Sequence, residues 1–284
     1  MDKINNVTSL LADLGLKTVC QSALCPNIYQ CFGKKTATFM ILGDVCTRNC
    51  SFCAITKGVP SHISADEPQR VAEAVAQLGL TYVVITSVTR DDLDDGGASH
   101  FAQTIDSVRS LCPQTKIEVL IPDFNGSDRA LETVINAGPD TINHNIETVP
   151  RLYNTVRPLA VYRRSLDLLH KIKEIAPQIV TKSGGMLGLG ESRNEVIEMM
   201  MELRTSGCNL LTLGQYLAPS SRHHPVVSYI TPEEFSSYIQ PALDMGFSGV
   251  ASAPLVRSSY RAAELYQSAF TGKADGKTGV NKGE

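Results

Sequence analysis

Cys46-Thr47-Arg48-Asn49-Cys50-Ser51-Phe52-Cys53 follows an apolar run at residues 37–42 that reads as a buried strand, with Gly43 as its stop. Three thiols in so short a loop can converge on one metal centre. The spacing C-x3-C-x2-C supplies three ligands and no fourth, so it matches neither a closed four-ligand zinc site nor an iron-sulfur site with four cysteines. An iron with an open coordination position is the sharper reading. A loop of this chemistry after a first strand also bears on the fold, because α/β barrels carry their active face at the C-terminal ends of their strands.

Beyond the loop the pattern alternates. Helices are expected at residues 66–78, where Val71, Val75 and Leu78 share a face, and at 99–111, 127–136, 149–153, 162–175, 193–204 and 232–245. Strands are expected at 82–86, 117–121, 141–144, 179–187, 210–213 and 249–253, and a short helix opens the chain at 7–14. Strands alternating with helices imply a parallel sheet. Six or seven such units without an internal linker indicate an α/β fold, a partial (β/α)6-type TIM-like barrel with N- and C-terminal extensions. A doubly wound open sheet is the alternative. The expected division is an extension at residues 1–36, a barrel at 37–253 and a C-terminal segment at 254–284, whose Gly- and Lys-rich end from 271 reads as disordered.

The 284 residues carry 26 basic and 29 acidic side chains, net -3, which gives no general attraction to phosphate backbones or anionic membranes. Nucleic acid is therefore discounted as a substrate. The N-terminus resembles neither a secretory signal nor an Arg-rich transit peptide. No run approaches the roughly twenty apolar residues of a membrane span. A cytoplasmic protein that does not enter membranes is the expectation. Six of the eight cysteines fall in two triplets, Cys20, Cys25, Cys31 with spacing C-x4-C-x5-C and Cys46, Cys50, Cys53, which points to metal or catalytic use ahead of disulfides. Cys112 and Cys208 stand apart and read as ordinary buried small residues.

The C-x3-C-x2-C loop, with Phe52 before its last cysteine, resembles the signature of radical S-adenosylmethionine enzymes. The wider chain resembles the lipoyl synthases among them. The resemblance runs through the C-x4-C-x5-C triplet, Thr86-Ser87-Val88-Thr89-Arg90-Asp91-Asp92-Leu93 and on to Ala98, Asn143-His144-Asn145-Ile146-Glu147-Thr148-Val149-Pro150-Arg151-Leu152-Tyr153, and Arg257-Ser258-Ser259-Tyr260. It implies that Cys46, Cys50 and Cys53 hold three irons of a 4Fe-4S cluster, the fourth iron chelating S-adenosyl-L-methionine. A fourth thiolate would block that place. Reductive cleavage then gives methionine and a 5'-deoxyadenosyl radical, the cofactor carrying the difficult chemistry.

The resemblance further implies that Cys20, Cys25 and Cys31 hold an auxiliary 4Fe-4S cluster. Its fourth iron takes a serine of the Arg-Ser-Ser-Tyr motif, assigned to Ser259 with Ser258 second. An oxygen donor is harder than a thiolate and binds iron less durably, so it can leave when the cluster opens. That cluster is the sulfur source, inserting two sulfurs at the sixth and eighth carbons of an octanoyl chain on a carrier-protein lysine. The partners implied are octanoylated lipoyl-carrier domains (2-oxoacid dehydrogenase E2 subunits and the glycine cleavage carrier protein), an electron donor such as ferredoxin or flavodoxin, and an iron-sulfur cluster carrier. Two other readings stay open: a different radical S-adenosylmethionine enzyme, such as a methylthiotransferase or biotin synthase relative, and a non-catalytic zinc or iron-sulfur protein.

Other polar groups carry plainer expectations. Asn145 and Glu147 follow a strand and can reach the cofactor, or Glu147 can cap a helix. The run Asp91, Asp92, Asp94, Asp95 reads as a solvated loop ahead of a cation site, and the family usually has proline at position 94. Residues 183–191 lack the Gly-Lys-Ser/Thr of a phosphate loop; in the family they border the adenosyl site, where Gly185 is unusually small. His223 and His224 read as a surface loop, and His62, His100 and His170 have no ligand partner at helical spacing. Arg163-Arg164 and Lys34-Lys35 read as solvated charge, or as contacts for an acidic carrier.

Overall fold

The computed structural model describes residues 2–33 and 36–271; the Lys34-Lys35 pair and the Gly- and Lys-rich tail beyond Thr271 lie outside the described residues. An eight-stranded sheet runs in the order Lys17–Thr18, Thr38–Ile41, Tyr82–Ser87, Lys116–Leu120, Thr141–Asn143, Val180–Leu187, Leu210–Gln215 and Gly249–Ser252. The last seven are parallel, and Lys17–Thr18 joins the edge antiparallel. Spatial order follows chain order with no reversal, so the doubly wound alternative, which turns back at a switch point, does not apply. This is a partial α/β barrel, and its seven parallel strands lie at the seven places where strands were expected, at the upper end of the six or seven units.

Alternation explains its two faces. In Tyr82–Ser87, Val83 and Ile85 are fully buried in the layer between sheet and helices, while Tyr82 and Val84 turn into the lumen and pack on Ala262. The outer helices lie close to their expected ranges: Glu67–Leu78 ends on Gly79, whose φ of +64° suits glycine, and Arg193–Thr205 starts with a capping box from Ser192 and Glu195. The expected helix at 232–245 is two pieces, Pro232–Ser236 and Ile239–Asp244. Pro241 has no N–H for the carbonyl four residues back, and its ring clashes there.

The C-terminal segment holds a helix the sequence reading did not include, Ala262–Thr271. It closes the lower lumen: Ala262 packs on Tyr82 and Val84, and Leu265 on Val180 and Leu210. Gly249 permits the close approach, since a Cβ there would collide with Ser268. Also inside the barrel lies a fully buried ion pair, Lys182 Nζ at 2.9 Å from Glu118 Oε1. Tyr82 donates its hydroxyl to Glu118 at 2.6 Å, and Asn143 donates at 3.1 Å. Among the described residues no helix is long and apolar enough to cross a membrane.

Candidate functional site

The open, C-terminal end of the barrel is a cavity of about 570 Å3 lined by Cys20, Cys25, Cys31, Cys46, Cys50 and Cys53 together. All eight cysteines are free thiols. Asn145, Glu147, Ser258 and Ser259 line the same space, as do Arg48, Ser87 and Arg157, which the sequence reading did not single out. Cys112 and Cys208 stay apart. Cys208 is fully buried and half-buried Cys112 caps a helix end.

Two very short helices present the first triplet, Val19–Ser22 carrying Cys20 and Ile28–Gly33 carrying Cys31. Thr18 caps the first by accepting the N–H of Gln21. The motif at 257–260 lies against this region: Asn27 Nδ2 donates to Leu255 O at 2.7 Å, and Tyr260 donates to Gln30 Oε1 at 3.1 Å. Ser258 Oγ accepts from Asn145 Nδ2 at 2.7 Å.

The second triplet sits on a loop gripped from three sides. Thr47 donates its N–H to Thr89 O at 3.1 Å, Ser51 donates to Val156 O at 2.9 Å, and His224 donates its N–H to Ser51 O at 2.9 Å. Buried Arg48 makes a fork to Asp91 at 2.8 and 2.9 Å and reaches Asp123 at 2.5 Å. Burial pushes the Asp123 carboxyl up, but the Arg48 guanidinium outweighs it and holds the group down at about 2. Asp91, Asp92 and Asp94 are exposed and Asp95 half-buried, yet the run is more than a solvated loop: Asp91 holds Arg48, Asp92 pairs with Arg90, and Asp95 accepts the N–H groups of Gly97 and Ser99. His223 and His224 are likewise more than surface. They are half-buried and strap the cysteine loop, His223 Nε2 lying 3.2 Å from Cys53 O. Of the remaining histidines, His100 meets Glu67, exposed His170 meets Glu174, and His62 is exposed. Arg163 is exposed beside Asp167, whereas Arg164 reaches Asp123 at 3.2 Å.

Burial pushes the Cys53 thiol up to about 11 and raises that of Cys50, against the pull of Arg157. It raises Cys20 as well. Thiols so placed ionise on taking a metal, which supplies the missing positive charge. Among the described residues no three His, Cys, Asp or Glu side chains come together to hold a single ion. The triplets instead border a chamber roomy enough for polynuclear groups.

Glu147 is not a helix cap; the next helical turn, Pro150–Leu152, begins after Val149. Its backbone is left-handed at φ +68°, which lets it donate to Gly184 O at 2.9 Å and accept from Met186 N–H at 2.8 Å. Burial raises its carboxyl above the ordinary range. Asn145 Nδ2 also donates to Glu147 Oε1 at 3.0 Å, while Asn145 Oδ1, Arg157 Nε and Ser87 Oγ are buried without a partner among the described residues. Orphans of this kind ask for a ligand. An ammonium satisfies Asn145 Oδ1 and the carboxylate of Glu147, and a carboxylate satisfies Arg157 Nε; an α-amino acid moiety has both. Gly184 is the glycine that keeps this space open, because a Cβ there would collide with Thr212 Oγ1 and lie 3.1 Å from Asn145 Oδ1. Gly185 faces Met199 on the outer side. Residues 183–191 are no phosphate cradle: the N–H groups of Gly188 and Leu189 are already taken by Glu191, at 2.6 and 3.0 Å.

Comparison with known proteins agrees with this geometry. Residues 40–203 match the model of the Radical SAM superfamily. A lipoyl synthase from Caldicellulosiruptor saccharolyticus is 58% identical over 261 residues, covering 92% of each chain. One from Caldanaerobacter subterraneus subsp. tengcongensis is 57% identical, again over 92% of each. Among solved structures, methylornithine synthase superposes with a TM-score of 0.57 at 14% identity, over 85% of this chain and 73% of its own, a likeness of fold. The chain belongs to the lipoyl synthase family of the radical S-adenosylmethionine superfamily.

Proposed function

We propose that the two cysteine triplets divide one reaction between them. Cys46, Cys50 and Cys53 hold the 4Fe-4S cluster that works with S-adenosylmethionine; Cys20, Cys25 and Cys31, with a serine of residues 257–260, hold a second 4Fe-4S cluster that gives up its sulfur. The observation that carries this is the shared cavity: all six thiols border one chamber. As a lipoyl synthase the enzyme converts an octanoyl chain on a lipoyl carrier to the lipoyl group. When bound, the cofactors supply hydrogen abstraction from the sixth and eighth carbons and the two sulfur atoms.

The chain's own residues bind, orient and shield. Asn145, Glu147 and Arg157 receive the amino and carboxylate groups of S-adenosylmethionine, filling the bonds left open there. Ser87, on the next strand end but one, offers a further hydroxyl. Helix Ala262–Thr271 closes the lumen from below, so that a reactive carbon is met by apolar walls and not by bulk water. Of the serines, Ser259 is the proposed fourth ligand, and Ser258 the other candidate because it too lines the cavity. Carrier domains of 2-oxoacid dehydrogenases and of glycine cleavage, a ferredoxin or flavodoxin donor, and a cluster carrier are the proposed partners. Residues 1–36, 37–253 and 254–284 act as auxiliary-cluster arm, radical barrel and serine-bearing segment.

The test is anaerobic reconstitution with reductant, S-adenosylmethionine and an octanoylated carrier, followed by iron counting and mass spectrometry. About eight irons per chain and a carrier gaining two sulfurs are expected. Adenosyl release without sulfur gain would favour another radical enzyme, and zinc without iron a structural protein. Ser258→Ala and Ser259→Ala are compared in parallel: the ligand is the serine whose loss abolishes sulfur transfer while adenosyl release continues. If Ser259→Ala leaves the lipoyl yield unchanged, that assignment fails.

A further inference from the structure

The backbone just ahead of the second cysteine loop is strained. Leu42, which follows strand Thr38–Ile41, has φ +68°, a left-handed conformation that a γ-branched residue adopts only when its surroundings impose it. Its surroundings do. The side chain is 1% exposed and fits only because position 97 is glycine, where a Cβ would collide with Leu42 Cδ1.

Both main-chain polar groups of Leu42 are taken by charged side chains from other elements. Its N–H donates to Glu67 Oε2 at 2.8 Å, and its carbonyl accepts from Arg90 Nη1 at 3.1 Å. Each of those side chains is itself fixed. Glu67 Oε2 lies 2.8 Å from His100 Nε2, and Arg90 makes a fork to Asp92 at 2.8 and 2.9 Å. Neither Glu67 nor Arg90 borders the cavity. Arg90 is flanked by Thr89, whose carbonyl accepts from Thr47, and by Asp91, which holds Arg48. Residues 89–91 thus grip the chain before the cysteine loop and within it.

We propose that Glu67 and Arg90 are positioning residues: they hold Leu42 left-handed and so preset the loop bearing Cys46, Cys50 and Cys53 before metal arrives. A loop ordered in advance loses less entropy when it binds. With the clamp gone, Leu42 relaxes towards the extended region and the chain leaves the strand in another direction. The inference rests on reading those three cysteines as cluster ligands.

The experiment compares the parent chain with Glu67→Ala, Glu67→Gln, Leu42→Gly and the double variant Glu67→Ala/Leu42→Gly. Hydrogen exchange of residues 43–53 is measured in the metal-free protein, and bound iron after anaerobic reconstitution. Glu67→Ala should exchange at least about tenfold faster over this segment and lose about half of the iron, the content of one cubane. Glu67→Gln keeps an acceptor and should stay near the parent. The double variant decides the matter when read against Leu42→Gly, which carries the same loss of a buried side chain: glycine enters the left-handed region without steric cost, so removing Glu67 in that background should add little to exchange and take away little iron. If removing Glu67 harms the Leu42→Gly chain as much as it harms the parent, as two independent lesions would, the proposal is overturned, and so it is by Glu67→Ala with parent exchange and iron. A parent chain that takes up no iron would instead refute the functional reading, and exchange, which needs no metal, would still decide the clamp.

Discussion

Asn145 joins the two halves of the site through one amide, its nitrogen donating to Glu147 and to Ser258 while its oxygen has no partner among the described residues. Removing it takes away a bond to a charged group, worth about 1.5–3 kcal/mol. Asn145→Ala should therefore weaken S-adenosylmethionine binding by about ten- to a hundredfold, with iron content unchanged, as followed by equilibrium binding to the reconstituted protein. The adjacent glycines provide a contrast. Gly184→Ala drives a methyl group into Thr212 and should weaken the same binding, whereas Gly185→Ala meets the adaptable end of Met199 at 3.2 Å and Leu213 at an ordinary 3.5 Å, and should be tolerated. Deeper in the lumen, Lys182→Met strands Glu118 as a buried charge and should cost about 3–5 kcal/mol in urea unfolding. Replacing both partners with apolar residues should recover most of that.

At the scale of elements, strands and outer helices were legible because period-two and helical patterns remain visible in any window. Residues 162–175 coincide with helix Tyr162–Ile175, and the cysteine loop does lie at the strand end where it was expected. What local pattern could not supply was partnership across the chain. The acidic run looked solvated because Arg48, the partner of Asp91, lies 43 residues away, while Arg90 beside Asp92 gives no local sign that it is buried. Arg157 carried no signal beyond its own charge. Ala262–Thr271 had a readable apolar spacing at Ala262, Leu265, Tyr266 and Ala269, but it lies past the last strand of the alternating pattern and received no element in the sequence reading. Its packing gives a direct check: Leu265→Asp places a carboxylate among Val180 and Leu210 and should cost about 3 kcal/mol or more of stability, measured by thermal unfolding.

For the molecule as a whole, the parallel order of the strands follows from alternating strands and helices. Which buried groups answer to pH does not follow from the sequence, because it depends on where each side chain ends up. His144 is 2% exposed, and burial pulls its pKa from 6.5 to about 4. Unfolded chains therefore take up this proton first as the solution is acidified. The stabilisation is complete above about pH 6.5 and disappears as pH falls to about 4, a change on the order of 3 kcal/mol. Denaturant titrations of the metal-free protein across that range should show the slope, and His144→Gln should flatten it.

The hydrogen bonds from Asn27 to Leu255 and from Tyr260 to Gln30 tie together parts of the polypeptide more than two hundred positions apart. A ribosome releases the earlier part long before the later one, so a growing chain can shape its first cysteine arm and most of its barrel while the mouth still lacks one wall. That end of the molecule is therefore complete only once the later part has been made, and any iron delivered earlier would meet an unfinished vessel.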